Sequence, residues 1–195
     1  MIVNTNLTGL YAGPSFQDEQ LSQLVFGMQV EILETNGVWG FVRQSDGYLG
    51  WMYLPYLSET ILPSPTHIVI DPVVLVREEA DQNAPIAGRI FAGTPIVLEK
   101  VNNDWAFVTT TVKGWVKCRS LRSIEDFPQT IAERRKLLEQ DAKSFIGTPY
   151  KWGGCSANGI DCSGYAQLVY RLAGISIRRD AEMQFNDGKK KRILL

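Results

Sequence analysis

Cys162 is the residue whose type and position best suit chemistry. A helix is predicted to begin near Cys162, with Asp161 placed to cap it and with Gly159 and Gly164 leaving room for another backbone or a substrate. The unpaired N–H groups and the dipole of a first helical turn stabilise a thiolate, so a cysteine there is suited to nucleophilic attack. The alternative is that Cys162 is a small packed residue.

A nucleophilic thiol needs a base within hydrogen-bond reach, and histidine usually fills that role. The only histidine in the sequence is His67, in a segment typical of a strand or linker, so we do not expect it to serve. Three cysteines without paired spacing and one histidine form no recognisable ligand set, so no metal and no cofactor are predicted. Cys118 and Cys155 are assigned structural roles.

Two helices are predicted to position this cysteine. Thr130 and Glu133 have the spacing of a capping box, and Gly147 closes the helix that follows. Its apolar face comprises Ile131, Leu138, Ala142 and Phe145. The second helix runs from Cys162 to Gly174 and is expected to turn Ala166, Val169, Tyr170 and Ala173 inward.

The first two thirds of the chain contain an internal repeat of alternating apolar and polar residues, which is typical of half-buried strands in small antiparallel barrels. The repeated positions are Val30, Trp39, Phe41, Val42, Gly50, Trp51 and Leu57, matched by Ile96, Trp105, Phe107, Val108, Gly114, Trp115 and Leu121. A length difference of two residues falls at a predicted hairpin turn, Gln44 to Gly47. Pro63 and Pro65 form a stiff connector between the units.

The aromatic residues of these units have two possible roles. The four repeated tryptophans could stack on a ligand, but we expect them to fill barrel cores and strand faces. Tyr48, Tyr53 and Tyr56 are better candidates for contact with a partner domain or a ligand.

Composition excludes several functions. The 195 residues are 45% hydrophobic and 21% charged, and the formal net charge is -1, which is typical of a folded globular chain with no field to attract nucleic acid. No run of apolar residues is long enough for a membrane-spanning helix. The N-terminus has no leader pattern, which predicts a cytoplasmic chain, or a secreted or wall-associated one whose leader was removed.

The repeats resemble bacterial SH3-type (SH3b) domains in the Leu10-Tyr11-Ala12-Gly13-Pro14-Ser15 stretch, the Asn-Gly-x-Trp turn and the Gly-Trp pair before a closing Leu. The segments 147–154 and 159–164, GTPYKWGG and GIDCSG, closely resemble the NlpC/P60 family of cell-wall peptidases. Together they imply an α+β multidomain fold: two SH3-like β-barrels, 1–62 and 63–124, followed by the helical N-terminal part of a papain-like domain, 125–195.

The NlpC/P60 resemblance also implies roles for individual residues. Cys162 matches the nucleophile, and the substrate-binding residues would be Asp161, Ser163, Tyr150, Trp152 and Asp180. Family members with this layout look like γ-D-glutamyl-L-diamino acid endopeptidases acting on murein peptides, with an SH3b domain helping to close the pocket. Ala181 stands where the family has a serine, and no histidine follows Cys162.

These departures lead to three expectations. The chain is expected to be an inactive member of an enzyme lineage, ended early by a frameshift or a cloned fragment, although a natural short form with a basic tail is an alternative. The apolar faces through Leu138 and Val169 should then be buried against the barrels or in a homo-oligomer. The competing hypothesis is a module that binds murein peptide or a protein, with a non-catalytic helical remnant.

Overall fold

The computed structural model describes residues 1–192, with side chains described as far as Lys189. The first barrel contains β1 to β7, with a short 3-10 turn, Leu54–Tyr56, before the last strand. The strands are β1 Ile2–Val3, β2 Leu7–Tyr11, β3 Gln20–Val25, β4 Val30–Asn36, β5 Trp39–Gln44, β6 Leu49–Tyr53 and β7 Leu57–Ser58. The main sheet has the order β3-β2-β6-β5-β4, and β1 pairs with β7.

The second barrel repeats this arrangement. Its strands are β8 His67–Val69, β9 Val73–Arg77, β10 Ile86–Phe91, β11 Pro95–Ile96, β12 Leu98–Asn102, β13 Trp105–Thr109, β14 Lys113–Lys117 and β15 Leu121–Ser123. The order β10-β9-β14-β13-β12 corresponds strand for strand to the first sheet, and β8 pairs with β15 as β1 pairs with β7. The predicted repeat is therefore confirmed as a duplicated SH3-like fold.

The register of the repeat explains which positions recur. Val42 lies opposite Gly50 in the first barrel, and Val108 lies opposite Gly114 in the second. Both valines are fully buried, whereas a Cβ on Gly114 would lie 2.3 Å from the carbonyl oxygen of Arg77. The glycines recur because a neighbouring strand crosses at that point.

The helical region contains three helices and a short hairpin. These elements are α1 Ile131–Lys143, β16 Cys155–Ser156, β17 Gly159–Ile160, α2 Cys162–Leu172 and α3 Ala181–Arg192. The capping box of Thr130 and Glu133 is confirmed, as is Asp161 as the N-cap of α2. The prediction of two helices was incomplete, because α3 and the hairpin were not anticipated.

Two side chains predicted to point inward are exposed. Ile131, which is 69% exposed, lies in the first turn of α1, and the contacts of α1 with the core begin only at Leu138. Tyr170 is 38% exposed because the buried face of α2 is centred on Gly164, Leu168 and Leu172 rather than on the predicted stripe.

The helical region packs on the second barrel. Ile68 and Ala92 of that barrel join Phe145, Ile160, Leu168, Val169 and Leu172 in one buried cluster, with Leu138 and Ala142 against it. The apolar faces through Leu138 and Val169 were expected to be buried either against the barrels or in a homo-oligomer. Burial against the second barrel is observed within one chain, and self-association stays a prediction. No helix of the described residues is long and apolar enough to cross a membrane.

Candidate active site

Cys162 is the first residue of α2 and its side chain is exposed. The N-cap, Asp161, has extended backbone angles, and its Oδ1 accepts a hydrogen bond of 2.7 Å from the Gly164 N–H. The cap satisfies one of the N–H groups that a helix start leaves unpaired. The thiol therefore stands at the positive end of a helix whose starting point is fixed by its neighbour.

The Asp161 carboxylate is fixed in turn by a buried ion pair. Arg179 donates from Nη2 to Oδ2 at 2.5 Å and from Nη1 to Oδ1 at 3.1 Å, and the Gly153 N–H donates to Oδ2 at 2.9 Å. Arg179 is only 2% exposed and Asp161 only 6%. Such a two-point contact fixes the carboxylate plane as well as its position.

The electrostatics of Asp161 are a balance of opposing effects. Burial alone raises the pKa of this carboxyl. Hydrogen bonds from Arg179, Gly164 and Gly153, together with attraction to the guanidinium, outweigh burial and hold the pKa below its ordinary value. Asp161 is therefore ionised at neutral pH and keeps its role as a helix cap.

The first barrel contributes directly to this network. Arg179 Nε donates to the Ser22 Oγ of β3 at 3.1 Å, and Arg179 Nη1 donates to the Ser163 Oγ at 2.8 Å. Ser163 in turn donates to Asp161 Oδ1 at 3.3 Å. Ser163 and Asp161, expected to bind substrate, have their polar atoms engaged with one another and with Arg179.

The loop before Cys162 lies close to the same strand of the first barrel. A Cβ on Gly153 would lie 2.1 Å from the carbonyl oxygen of Gln20, and Gly153 has a φ of +69°, so this contact requires glycine. Gln23 Oε1 accepts from the Cys155 N–H at 2.9 Å and from the Ser156 hydroxyl at 3.1 Å. Strand β3 therefore fixes the hairpin that leads into α2.

Two of the three remaining expected substrate residues, Trp152 and Asp180, contact the first barrel. Tyr150 and Trp152 are 67% and 63% exposed, and the Trp152 indole donates to Glu19 Oε1 at 2.7 Å. Asp180 Oδ1 accepts a 2.9 Å hydrogen bond from the Tyr48 hydroxyl of the first barrel, which realises the predicted contact of Tyr48 with a neighbouring domain. Burial and then this hydrogen bond raise the pKa of Tyr48, so the phenol stays protonated.

The other aromatic candidates stay within the first barrel. Tyr53 and Tyr56 join Tyr11, Phe16 and Trp39 in a cluster of edge-on and tilted ring contacts. Trp39 and Trp105 are buried, as expected for core residues, while Trp51 and Trp115 are half-buried on strand faces against Phe41 and Phe107.

Helix α3 holds the segment that carries Arg179. The Gln184 side-chain amide donates to the carbonyl oxygens of Ser163, Arg178 and Arg179 at 3.0, 2.8 and 3.3 Å. Ala181, the departure from the family pattern, is the first residue of this helix.

The only histidine lies at the other end of α2. His67 is in β8, its Nδ1 is 2.8 Å from the Thr66 hydroxyl, and it lines a cavity with Gly174, beyond the C-terminus of α2. Cys162 and Gly174 are twelve residues apart, about 18 Å along the helix axis at 1.5 Å per residue. His67 is therefore not placed to deprotonate Cys162.

Fold and site together define a pair of SH3-like barrels joined to a helical region that presents a thiol at a helix start. The NlpC/P60 family model matches residues 147–194, and a bacterial dipeptidyl-peptidase SH3 domain model matches residues 10–54. Dipeptidyl-peptidase 6 of Lysinibacillus sphaericus is 30% identical over 93% of this chain and 72% of its own length. The chain belongs to the NlpC/P60 family.

Other relatives and structures agree with that assignment. Gamma-D-glutamyl-L-lysine dipeptidyl-peptidases of Bacillus subtilis and Bacillus cereus are 29% and 27% identical over 86% of this chain, which spans only 58% and 54% of their lengths. The crystal structure of an NlpC/P60 family protein from Bacillus cereus superposes with a TM-score of 0.78 at 19% identity, covering 94% of this chain and 75% of that one. The superposition establishes the shared fold.

Sequence reasoning did not find the two residues that complete the network. Arg179 appears in the sequence beside Asp180, but nothing marks it as the partner of Asp161. Ser22 lies 157 residues from Arg179, and an ordinary serine in a strand carries no signal of a distant contact.

Proposed function

We propose that this chain is a cell-wall cysteine peptidase scaffold with Cys162 as nucleophile, and that its ligand is a γ-D-glutamyl-L-diamino acid peptide. The observation that carries the proposal is an exposed thiol at the start of α2 whose N-cap carboxylate is locked by a buried arginine. The similarity to dipeptidyl-peptidases that act on γ-D-glutamyl-L-lysine supports this substrate class.

The proposed reaction is thiol acyl transfer. The Cys162 thiolate attacks the carbonyl carbon of the γ-amide, a C–S bond forms, the C–N bond breaks, and the amine of the diamino acid leaves with a proton. Water then hydrolyses the thioester and regenerates the thiol. Both proton transfers need an acid–base group beside the sulfur, and imidazole is suited to them near neutral pH.

We further propose that these 195 residues bind the peptide but do not turn it over by themselves. Support comes from the position of His67 at the far end of α2. Exposed Tyr150 and Trp152 are proposed to contact the peptide together with Asp180, while Asp161 and Ser163 act by positioning the helix.

The test is release of free lysine from L-Ala-γ-D-Glu-L-Lys, with and without added imidazole. We expect no release by the chain alone, and slow release in imidazole that disappears in Cys162→Ser. Release without imidazole that depends on Cys162 would contradict the proposed inactivity. Failure to bind the peptide, together with no release in imidazole, would contradict the substrate assignment.

A second candidate is a binding module centred on the first barrel. The observation in its favour is the aromatic cluster of that barrel, in which Phe16 is 54% and Tyr56 38% exposed. Bound peptide should protect Cys162 from iodoacetamide if the first proposal holds. If binding instead leaves Cys162 reactive and is lost in Phe16→Ala, the module is favoured.

Self-association is a separate proposal. Large apolar side chains remain exposed in the helical region, including Ile146, Tyr150, Trp152 and Phe185. Apolar surface of this kind favours association between copies. We expect light scattering to give a mass above that of one chain at high concentration, and a monomer throughout would count against it.

A further inference from the structure

A cavity of about 340 Å³ lies where both barrels and the helical region meet. The polar side chains that line it are Gln44, Ser45, Asp46, His67, Gln167, Arg171 and Ser176. Arg171 is nine residues beyond Cys162, about 14 Å along the helix. Gln167, five residues beyond Cys162, also lines the cavity, but Cys162 itself does not.

Arg171 is a cation without a carboxylate partner. Within the part of the chain that the structure describes, no Asp or Glu lies within ion-pair distance of it, and its Nη1 contacts only the Met28 sulfur, at 3.5 Å. Burial lowers the pKa of Arg171, opposed by attraction to Cys155 and Asp46. Arg171 is only partly exposed, so its charge is incompletely hydrated and has no counter-ion within ion-pair distance, and a bound anion would offset this cost.

The one carboxylate lining the cavity is already occupied. Asp46 Oδ1 accepts from the Tyr48 N–H at 3.0 Å, and Asp46 Oδ2 accepts from Gln167 Nε2 at 2.8 Å. Gln167 Nε2 also donates to the Ile177 carbonyl at 3.1 Å. The Asp46 carboxylate attracts Arg171 from beyond ion-pair distance but does not bond to it, so the N–H donors of Arg171 stay available to a ligand.

Gln44 supplies an unused donor at the same place. Its side chain is 6% exposed, and its Nε2 has no hydrogen-bond partner among the described residues. A buried amide donor without an acceptor is a rare and costly arrangement. Rotation of this amide toward an acceptor in the cavity would satisfy it.

The walls of the cavity are largely apolar, with contributions from Ile68, Phe127 and Ile175. An inorganic anion would leave this surface in contact with water, whereas an organic acid would cover it. The volume is within the range typical of small-molecule sites.

We propose that this cavity is a second binding site, for a small organic carboxylate with an apolar body. The carboxylate pairs with Arg171 and accepts from Gln44, and the apolar part packs on Phe127 and the neighbouring isoleucines. Because the site joins all three units, its ligand stabilises their arrangement without touching Cys162.

The test is calorimetric titration with three probes: N-acetyl-L-leucine, its uncharged amide, and inorganic phosphate. We expect saturable binding of the acid, and at least tenfold weaker binding of both the amide and phosphate. Equal affinity for acid and amide would overturn the role of Arg171. If phosphate binds as tightly as N-acetyl-L-leucine, the ligand does not need an apolar part, and that element of the proposal is wrong. If N-acetyl-L-leucine does not bind, the proposed site is wrong.

Variants locate the binding. Arg171→Met keeps the apolar stem of the side chain and should lower the affinity for N-acetyl-L-leucine at least tenfold. Gln44→Leu should lower that affinity severalfold. Arg43→Met is the matched control, because Arg43 is the neighbour of Gln44 in β5 but pairs with Glu31 outside this cavity. If Arg171→Met does not fold, Gln44→Leu decides, because it removes no charge. Unchanged affinity in a folded Gln44→Leu would contradict the proposed contact.

Discussion

The two barrels share one fold but contact α2 in different ways. The first barrel uses polar groups: Ser22 reaches the start of α2 through Arg179, and Asp46 accepts from Gln167 further along the helix. The second packs apolar residues such as Ile68 and Ala92 against the later turns of α2. A duplicated fold has therefore diverged into one unit that orients the site and one that stabilises it.

The divergence can be seen at equivalent positions. Gly88 in β10 stands where β3 has Ser22, because Ser22 lies opposite Leu10 and Gly88 lies opposite the equivalent Val76. The second barrel consequently has no hydroxyl to offer an arginine at that position. Its own polar anchor is Arg122, which pairs with Asp141 of α1 at 2.7 Å and also donates to the Leu172 carbonyl.

Removal of Arg179 should have the largest effect. Arg179→Met leaves the Asp161 carboxylate buried without its partner, and we expect a loss of about 3–5 kcal/mol in the free energy of unfolding. Arg178→Met is the adjacent control, since its pair with Asp187 is about 40% exposed, and it should change stability far less. Urea unfolding measures both, and equal losses would contradict the distinction.

Removal of the second barrel's anchor should affect stability without affecting the site. Arg122→Met leaves Asp141 partly buried and unpaired, and we expect a loss of about 2–4 kcal/mol. The rate at which iodoacetamide modifies native Cys162 should be unchanged, whereas Arg179→Met should change it. A change of similar size in both variants would show that the barrels do not divide the roles as described.

Removal of the Ser22 hydroxyl should have a smaller effect. Ser22→Ala deletes the hydrogen bond from the charged, buried Arg179 and the weaker contact with the Cys155 sulfur, and the loss of the first is expected to cost about 1.5–3 kcal/mol. Ser58→Ala is a suitable control because its hydroxyl bonds only to the exposed Thr60 nearby. Thermal unfolding compares the stabilities of the two variants. If Ser22→Ala is as stable as the parent chain, Ser22 does not stabilise the Arg179 network.

The smallest expected effect is the loss of folding stability when the pH is lowered. Because the pKa of Asp161 is lower in the folded chain than in the unfolded one, its contribution to stability is complete above about pH 4 and is lost as the pH falls through the folded value. Arg179→Met should show a shallower loss of stability in this window. Parallel pH profiles for the two proteins would contradict the coupling.

Local patterns in the sequence predicted much of this structure. The repeat, the capping box and the Asp161 cap depend on residues close together in the chain or at a fixed spacing. The predicted buried face of α2 was wrong at Tyr170. Ser163 and Gln167 are buried instead, because each has a polar partner from elsewhere in the chain. Hydrophobic periodicity does not reveal buried polar residues, so the Arg179 network was also missed.

The first barrel fixes the start of α2 through Arg179 and Asp161. Hydrogen exchange of the Gly164 amide, followed by NMR, reports on it directly because that N–H is bound by Asp161. We predict a protected Gly164 amide whose exchange accelerates at least tenfold in Ser22→Ala, and by a larger factor than the exchange of amides in the second barrel. Unchanged protection of Gly164 in that variant would contradict the account.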